Sequence, residues 1–310
     1  MRALTLAEVP GTPAITDVEA PAPAAGELLV RVRASSVNGF DLGTIAGYLQ
    51  GMMEHRFPLI PGRDFAGTVE AVGDGVEGFQ VGDEVFGMVA KAHLGNGSFA
   101  QYVTVPAAMG VAHRPDALAV QDAGALGLAG AAAVAGLDAL GELAGRTVLI
   151  SGATGGVGAF ALQLATARGA RVIATARPGA EADFVRTLAP SAEIVDYATD
   201  VTGQVRALAP EGVDAVLHLA GDLSELTALA RDGGAVASAL ATPDDTEDRG
   251  LRVSMVMTTP TPELLAELAE LAAAGTLIVP VTAVYDLEQA PDAFTAFATG
   301  KTGKISLAIN

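Results

Sequence analysis

Four glycines lie close together between residues 150 and 160. They follow a β-branched strand pattern and precede a helical one in the segment TVLISGATGGVGAFALQLATARG: Gly152, Gly155, Gly156 and Gly158. Glycine allows a tight turn and a close approach of the backbone to a pyrophosphate, and a helix start adds free N–H groups and a partial positive charge. The pattern predicts a dinucleotide-binding turn whose backbone at Thr154 and Val157 contacts the cofactor. A purely structural turn is the alternative.

The end of the next strand pattern bears on the choice of cofactor. NAD sites of this kind place an Asp or Glu there to hold the ribose 2′-hydroxyl. Here the strand reads RVIATAR and ends at Arg177, with a guanidinium and no acid. Because arginine can bind a 2′-phosphate through two hydrogen bonds and a carboxylate would repel it, the sequence predicts NADP(H) rather than NAD(H). The alternative is an ordinary solvated arginine.

Alternating strand and helix patterns position this turn. From Arg146 through DGGAVASAL the pattern repeats as strand, turn and helix, which predicts a doubly wound parallel sheet. The first third instead has short runs rich in Val, Gly and Pro, which predict an irregular, mostly antiparallel β unit. Between them, PDALAVQDAGALGLAGAAAVAGLDALGEL predicts one or two buried helices, with a low-complexity linker as the alternative. The final KTGKISLAIN predicts a strand that returns to the first unit.

Composition and charge exclude several classes of function. The formal net charge of −18 argues against a nucleic-acid partner, whose phosphates require basic surfaces. The 310 residues contain no cysteine and four histidines, so thiolate metal sites are excluded and a histidine-based zinc centre is poorly supplied. No apolar run is expected to reach the roughly 20 residues that cross a bilayer, and the N-terminus lacks a signal-peptide pattern. These features predict a cytoplasmic protein without a membrane partner.

Six segments in order resemble the medium-chain dehydrogenase/reductase superfamily, and within it the zinc-free quinone oxidoreductase branch related to zeta-crystallin. They are SSVNGFD (35–41), PGRDFAG (61–67), GSFAQY (97–102), GATGGVG (152–158), IVDY (194–197) and GKISL (303–307). The resemblance implies an α/β protein with a GroES-like β domain and a doubly wound Rossmann domain. The expected GroES-like domain covers 1–118 and is completed by about 262–310, and the Rossmann NADP(H)-binding domain covers 119–261.

The same resemblance implies a reaction without zinc. Zinc-dependent relatives usually carry Gly-His-Glu where this chain has Gly62-Arg63-Asp64, and they use cysteines that are absent here. We therefore expect an NADPH-dependent reductase that transfers hydride to a quinone or an α,β-unsaturated carbonyl. The alternatives are an NADP(H)-binding module with little redox activity and an enoyl reductase of a biosynthetic pathway; an alcohol dehydrogenase would need the metal.

The resemblance also carries over individual residues. Asn38 and Asp41 match the family motif Asn-x-x-Asp at the nicotinamide end of the catalytic domain, with helix capping as the alternative for Asn38 and a structural role for Asp41. Tyr48 could donate a proton to an enolate, with a half-buried aromatic residue in a loop as the alternative, and Ile45 stands where relatives often have arginine. We expect Arg63 and Asp64 to form a local ion pair or the rim of the substrate pocket.

Further matched residues bear on the cofactor and on assembly. Tyr197 is expected beside Arg177 at the 2′-phosphate, and His218 beside the nicotinamide ribose, although a packed histidine is the alternative. Lys301 and Lys304 match the family's terminal Gly-Lys strand and could reach either the cofactor or only the solvent. The family also implies a homodimer through edge strands of the Rossmann sheets, here around 253–258.

Overall fold

The computed structural model describes residues 1–242, 247–300 and 302–310, with no account of the Glu247 side chain. The chain forms two compact units: unit 1 comprises Met1–Ala131 and Thr259–Asn310, and unit 2 comprises Ala132–Thr258. The sequence placed the first boundary at the change of composition near residue 118. The structure places it inside a helix that begins just after that change. Lys301 lies outside the described residues.

Unit 1 is mainly antiparallel β structure. Its N-terminal elements are β1 (Arg2–Thr5), β2 (Ala14–Asp17), β3 (Glu27–Val37), α1 (Gly39–Ile45), β4 (Glu54–Ile60), β5 (Asp64–Val72), β6 (Glu84–Met88), β7 (His93–Asn96), β8 (Tyr102–Pro106), β9 (Val111–His113) and the first part of α2 (Val120–Leu140). The second half of its longest strand, β3, is buried as far as Val37, which brings the chain to the candidate site at Asn38.

Unit 2 is a parallel α/β unit. Its elements after α2 are β10 (Thr147–Ile150), α3 (Gly156–Ala167), β11 (Arg171–Thr175), α4 (Ala180–Leu188), β12 (Glu193–Val195), α5 (Val201–Leu208), β13 (Val213–His218), α6 (Leu223–Ala228), β14 (Ala230–Ser238), a 3₁₀ turn (Glu247–Arg249) and β15 (Arg252–Met255). The sheet order is β12-β11-β10-β13-β14-β15, and every neighbouring pair is parallel. The predicted doubly wound sheet is confirmed, and its apolar core includes Leu149, Ile173 and Val216.

The C-terminal segment completes unit 1. It contains α7 (Pro262–Ala273), β16 (Val281–Asp286), a 3₁₀ turn (Leu287–Gln289), α8 (Ala290–Ala298) and β17 (Lys304–Ala308). The main sheet has the order β16-β17-β3-β5-β6-β9, with β8 also paired to β3. Because β17 pairs antiparallel with β3, from Ile305 opposite Val37 to Ala308 opposite Ala34, the chain returns to the first unit as predicted.

The PGRDFAG segment is a close backbone crossing at the start of β5. Gly62 has φ 104°, and a Cβ at Gly67 would lie 1.9 Å from the carbonyl oxygen of Arg31. Only glycine fits both conditions without moving the backbone. The crossing sets where the next side chains, Arg63 and Asp64, leave the chain.

The alanine-rich segment forms a single helix, α2. By length and composition it is the one described helix apolar enough to cross a membrane, with a mean hydropathy of 1.6. The expectation that no apolar run reaches that length was therefore wrong for this segment. Burial accounts for the composition, since 72% of its most apolar window is buried in the protein, and Gly124 packs where a Cβ would lie 2.8 Å from the Ala34 side chain.

Candidate functional site

The predicted glycine turn lies between β10 and α3 in unit 2. Gly152 has φ 64°, a left-handed conformation that favours glycine. A Cβ at Gly158 would lie 2.2 Å from the carbonyl oxygen of Gly152 and 2.7 Å from the Cα of Ala153. These two glycines therefore let the first turn of α3 pack directly against the loop.

The start of α3 has amide groups available for an anion. Gly155 occupies the N-cap position with extended backbone angles (φ −79°, ψ 174°), and it has no side chain to cap the helix. The first N–H groups of a helix have no partner inside the helix, and together they favour negative charge. Gly156 and Val157 supply the first two of these groups, so this end of α3 suits a pyrophosphate.

Two hydroxyl groups that the sequence analysis did not single out fix the turn. The Oγ1 of Thr175, the last residue of β11, accepts a hydrogen bond of 3.1 Å from the N–H of Gly152. The Oγ of Ser151 accepts from the N–H of Leu219 at 3.1 Å. Thr175 ends β11 and Ser151 directly follows β10, and these positions at strand ends are the sequence signal that could have identified them. The turn is thereby tied to both neighbouring strands, β11 and β13.

A cavity of about 450 Å³ opens at the carboxyl ends of the parallel strands. It lies where the sheet continues from β10 to β11 on one side and to β13 on the other, the switch point at which α/β sheets bind ligands. Its lining includes Gly152, Thr154, Thr175, Tyr197, Gly221 and Asp222. Two of the predicted turn residues, Gly152 and Thr154, thus share one concave site within unit 2 with Tyr197.

Arg177, two residues after the cavity-lining Thr175, is not a free cation. Its Nε and Nη2 donate to Oε1 of Glu181 at 2.8 and 2.6 Å. The Tyr197 hydroxyl donates to the same oxygen at 3.0 Å, and the guanidinium lies 5.6 Å from the centre of the Tyr197 ring. Arg177 and Tyr197 lie together, and their role at a 2′-phosphate stays a prediction. The strand end itself has no acid in the sequence, but α4 brings Glu181 back to it.

His218 is a packed residue at the end of β13. It is 2% exposed, its Nδ1 lies 2.9 Å from Oγ of Ser238, and its Nε2 lies 3.1 Å from the carbonyl oxygen of Gly221. Both ring nitrogens are therefore occupied inside the protein. The packed alternative fits this geometry, and the ribose contact predicted for His218 does not.

Unit 1 contains a buried polar group, which we call the Asp64 cluster: Ser36, Asn38, Asp64 and Lys304. The Nζ of Lys304 donates to Oδ1 of Asn38 at 2.6 Å and lies 3.3 Å from Oδ2 of Asp64. That Asp64 oxygen also accepts from the Ser36 hydroxyl, and Oδ1 of Asp64 accepts from the N–H of Leu128 at 2.6 Å. The buried carboxylate is thus paired with a cation and hydrogen-bonded on both oxygens.

The cluster uses the Asn38 amide that the sequence assigned to a substrate oxygen. The Asn38 Nδ2 donates to Asp64 Oδ2 at 2.9 Å and to the carbonyl oxygen of Ser36 at 3.2 Å, so both amide hydrogens have partners. Its backbone N–H donates to Asp41 Oδ2 at 2.9 Å at the start of α1. In this arrangement Asn38 caps α1 and anchors the cluster, and it has no donor left for a ligand.

Asp41 is a buried acid with a perturbed pKa. Burial, together with the nearby Asp64 charge, raises the pKa of Asp41 to about 7, while the Asn38 N–H, Lys304 and Arg63 act in the opposite direction. Its side chain is held by the helix-capping bond from Asn38. Asp41 therefore combines the structural role left open by the sequence with a proton that can leave near neutral pH.

The expected ion pair between Arg63 and Asp64 does not form, because Asp64 is paired with Lys304. The guanidinium of Arg63 instead lies 4.3 Å from the centre of the Phe40 ring and donates to the carbonyl oxygen of Val89. Burial lowers the pKa of Arg63. Arg63 lines a small cleft of about 20 Å³ with Phe40 and Asp41, and its expected place at the rim of the substrate pocket stays a prediction.

Tyr48 lies in the turn after α1 and is 79% exposed. It is separate from the Asp64 cluster, and no hydrogen bond to its hydroxyl occurs within the described part of the chain. The Tyr48 hydroxyl is therefore free to donate a proton, whereas the Asn38 amide already donates to protein groups.

Lys304 belongs to the Asp64 cluster, where its Nζ contacts Asn38 and Asp64.

Comparison with known proteins identifies the family. Residues 24–116 match the alcohol dehydrogenase GroES-like domain, and residues 191–306 match the zinc-binding dehydrogenase family. An alcohol dehydrogenase superfamily protein of Novosphingobium aromaticivorans is 31% identical, with a TM-score of 0.88 over 100% of both chains. The chain belongs to the medium-chain dehydrogenase/reductase superfamily. The predicted fold, a GroES-like domain with a Rossmann-like domain, is confirmed.

Other members of the superfamily are similar to this chain. A chloroplast envelope quinone oxidoreductase homolog of Arabidopsis thaliana is 34% identical over 210 residues, which are 66% of this chain and 62% of the relative. A 2-methylene-furan-3-one reductase of Solanum lycopersicum is 28% identical over 289 residues, 90% of this chain and 71% of the relative. Mycobacterial Rv1454c, solved with NADPH, is 29% identical with a TM-score of 0.86 over 99% of both chains. The chain spans less than two thirds of the Arabidopsis relative.

The residues of this superfamily member do not fit a zinc ion. In residues 1–242, 247–300 and 302–310, no group of three or more His, Cys, Asp or Glu side chains could hold a metal. Asp64, which stands where zinc-dependent relatives carry glutamate, has both oxygens engaged by protein donors. Its neighbour Arg63 is a cation. The donor set for a catalytic zinc is absent from the described part of the chain.

Proposed function

We propose that the protein is a zinc-independent, NADPH-dependent reductase that transfers hydride to a quinone or an α,β-unsaturated carbonyl. The observation that carries the proposal is the glycine turn, in which Gly152 and Thr154 line a cavity at the switch point of a parallel sheet and Gly155 begins an uncapped helix. Superfamily members bind a nicotinamide cofactor at such a site. The similar relatives named above include a quinone oxidoreductase homolog and a reductase of a conjugated enone.

The chain's residues fit NADP(H) at two places. The glycine turn and the first amides of α3 suit the pyrophosphate. Glycine is needed at position 158, because a side chain there would collide with the backbone of the turn. Tyr197 lines the cavity and Arg177 lies beside it, so the two supply a hydroxyl and a cation near the expected position of the 2′-phosphate. NADPH bound here supplies a hydride from the nicotinamide C4, and the similarity to a protein solved with NADPH supports this choice.

A conjugated acceptor suits the groups that unit 1 offers. Hydride addition to an enone or a quinone creates negative charge, and conjugation delocalises that charge onto the carbonyl oxygen. Positioning and one proton donor then suffice for catalysis, without a Lewis acid. We assign the proton donor to Tyr48, whose hydroxyl is exposed. Asn38 and Asp41 act through the backbone by fixing the start of α1.

One observation favours a second candidate, an NADP(H)-binding protein with little redox activity. The Asn38 amide, the substrate donor implied by the resemblance, is fully engaged inside the Asp64 cluster. A protein of that kind would bind NADPH but would not oxidise it. An enoyl reductase of a biosynthetic pathway shares the proposed chemistry and differs only in its acceptor.

A spectrophotometric assay separates these candidates. Purified protein is mixed with NADPH, and the absorbance of the reduced nicotinamide is followed with several quinones and several enones, without added metal and after treatment with a chelator. We expect acceptor-dependent NADPH oxidation that the chelator does not change. NADPH binding without oxidation by any acceptor would support the binding module, and loss of activity on chelation would contradict a zinc-independent reaction.

A further inference from the structure

Glu181 lies beside Tyr197, which lines the cavity of unit 2, and both of its carboxylate oxygens accept hydrogen bonds. Its Oε1 accepts from Arg177 Nη2 at 2.6 Å, from Arg177 Nε at 2.8 Å and from the Tyr197 hydroxyl at 3.0 Å. Its Oε2 accepts from the backbone N–H of Arg177 at 3.0 Å. The Glu181 side chain is 11% exposed, whereas that of Arg177 is 57% exposed. The carboxylate is therefore fixed below a cation that faces solvent.

This arrangement keeps Glu181 ionised. Burial alone would raise the pKa of Glu181, but the Arg177 N–H, the guanidinium and the Tyr197 hydroxyl outweigh burial and lower it. The positive charge of Arg177 is thus offset before any ligand arrives. The Tyr197 hydroxyl also points its hydrogen at Glu181 rather than at the cavity.

The position of Glu181 matters because its two partners connect it to the cavity. Tyr197 lines the cavity, and Arg177 lies two residues after Thr175, which also lines it. In sheets of this type the end of the second strand faces the adenosine ribose of a dinucleotide, and a carboxylate there accepts a hydrogen bond from the 2′-hydroxyl. A carboxylate also repels a 2′-phosphate, and the pairing with Arg177 removes part of that cation's attraction for one.

We propose that Glu181 determines cofactor specificity by weakening the binding of the 2′-phosphate, so that the site accepts NADH as well as NADPH. Arg177 favours the phosphate and Glu181 opposes it, and the preference for NADPH is accordingly narrow. This inference rests on the proposed function, because it requires the cavity at the switch point to hold the adenosine end of a nicotinamide dinucleotide.

The test compares two fragments that differ only in the 2′-phosphate: adenosine 2′,5′-bisphosphate and adenosine 5′-monophosphate. Calorimetric titration of the Glu181→Gln variant is expected to show about tenfold tighter binding of the bisphosphate than in the wild type, with the monophosphate changed less than about twofold. Arg177→Ala should weaken only the bisphosphate. The ratio of kcat/KM for NADPH to that for NADH should rise in Glu181→Gln by a similar factor.

A matched control is available on the same helix. Asp183 forms an exposed pair with Arg186 at 2.9 Å, so Asp183→Asn also removes one carboxylate from α4 but leaves the cavity rim intact. It should leave both fragments bound as in the wild type. Because Glu181 is largely buried, Glu181→Ala provides a second variant, expected to change the fragment ratio in the same direction, and the thermal transition of each variant checks its folding.

The outcomes distinguish this inference from the proposed function. An unchanged or lower preference for the bisphosphate in folded Glu181→Gln and Glu181→Ala would overturn the role of Glu181, as would an equal gain in Asp183→Asn. A wild-type protein that binds neither fragment nor NADPH would instead overturn the cofactor site itself.

Discussion

At the scale of single residues, the buried carboxyl group of Asp41 makes the folding stability depend on pH. Its pKa is raised to about 7, so between about pH 4 and pH 7 the folded protein holds a proton that the unfolded chain releases. The contribution of Asp41 to stability is therefore complete below about pH 4 and is lost as the pH rises toward 7. The loss is at most about 1.4 kcal/mol for each pH unit in that window.

Asp41→Asn is expected to remove this pH dependence. The Asn side-chain oxygen can still accept the Asn38 N–H at the start of α1, so the variant should fold. Urea unfolding at pH 5 and pH 8 should show that the variant gains stability relative to the wild type as the pH rises. Asp183→Asn controls for the loss of a surface carboxylate. A stability difference between Asp41→Asn and wild type that does not change with pH would contradict the raised pKa.

Tyr48 carries the proposed proton transfer. Its hydroxyl is exposed, and replacement by phenylalanine leaves the ring but removes the proton. Tyr48→Phe should lower kcat with an enone by about 10²-fold, the usual contribution of a general acid, with little change in NADPH affinity. Tyr285→Phe, on β16, is the control. Equal kcat values for Tyr48→Phe and wild type would assign the proton to another donor or to water.

At the scale of elements, two glycines of the turn are expected to have different roles: Gly158 allows the loop and helix to pack, and Gly155 allows the cofactor to approach the helix start. A Cβ at Gly158 would lie 2.2 Å from the Gly152 carbonyl oxygen, whereas a Cβ at Gly155 would meet its first neighbour, that same oxygen, at 3.4 Å. Gly158→Ala should therefore lower the free energy of unfolding by about 1–3 kcal/mol. Gly155→Ala should keep the wild-type melting temperature but lose at least about tenfold in NADPH affinity, since the methyl group stands at the uncapped helix start.

Thermal melting and NADPH titration of both variants check this division of roles. Gly155→Ala with normal NADPH affinity would show that the cofactor does not approach the N-terminus of α3. Gly158→Ala with unchanged stability would show that the loop relaxes away from the helix.

Helices and strands could be predicted where a single hydrophobic periodicity dominates a segment of the sequence. The strand–turn–helix repeat of unit 2 and the return of KTGKISLAIN to β3 followed from local sequence. The Asp64 cluster did not, because its ion pair joins β5 to β17 across 240 residues, and local spacing carries no information on such a contact. Glu181 was missed for a different reason. It lies four residues after Arg177, and only the direction of the first turn of α4 brings its side chain back to that residue.

At the scale of the whole molecule, the homodimer that the family resemblance implies would pair β15, one of the two edge strands of the unit 2 sheet. β15 is the last strand in the sheet order, and it carries the exposed Met255, with Met257 just beyond and 76% exposed. An exposed edge strand with apolar side chains is a site for pairing with a second copy. The −18 net charge of each chain opposes association unless such a contact outweighs it.

Sedimentation should therefore give a mass of about twice 31.1 kDa for the wild type. Met257→Glu is expected to shift the protein toward 31.1 kDa, because it puts a charge beside the edge strand. Met52→Glu is the matched control, since Met52 is also 76% exposed but lies in unit 1. A wild-type mass of one chain, or equal effects of the two variants, would contradict a dimer through β15.

The central claim, hydride transfer from NADPH to a conjugated acceptor, is tested most directly by isotope transfer. The protein is incubated with NADPH that carries deuterium at both C4 positions of the nicotinamide and with a cyclic enone, and the product is examined by mass spectrometry and NMR. The account predicts a saturated ketone with one deuterium at the β-carbon, formed in step with NADP⁺. NADPH that is bound but not consumed, or a reduced product without deuterium at that carbon, would contradict it.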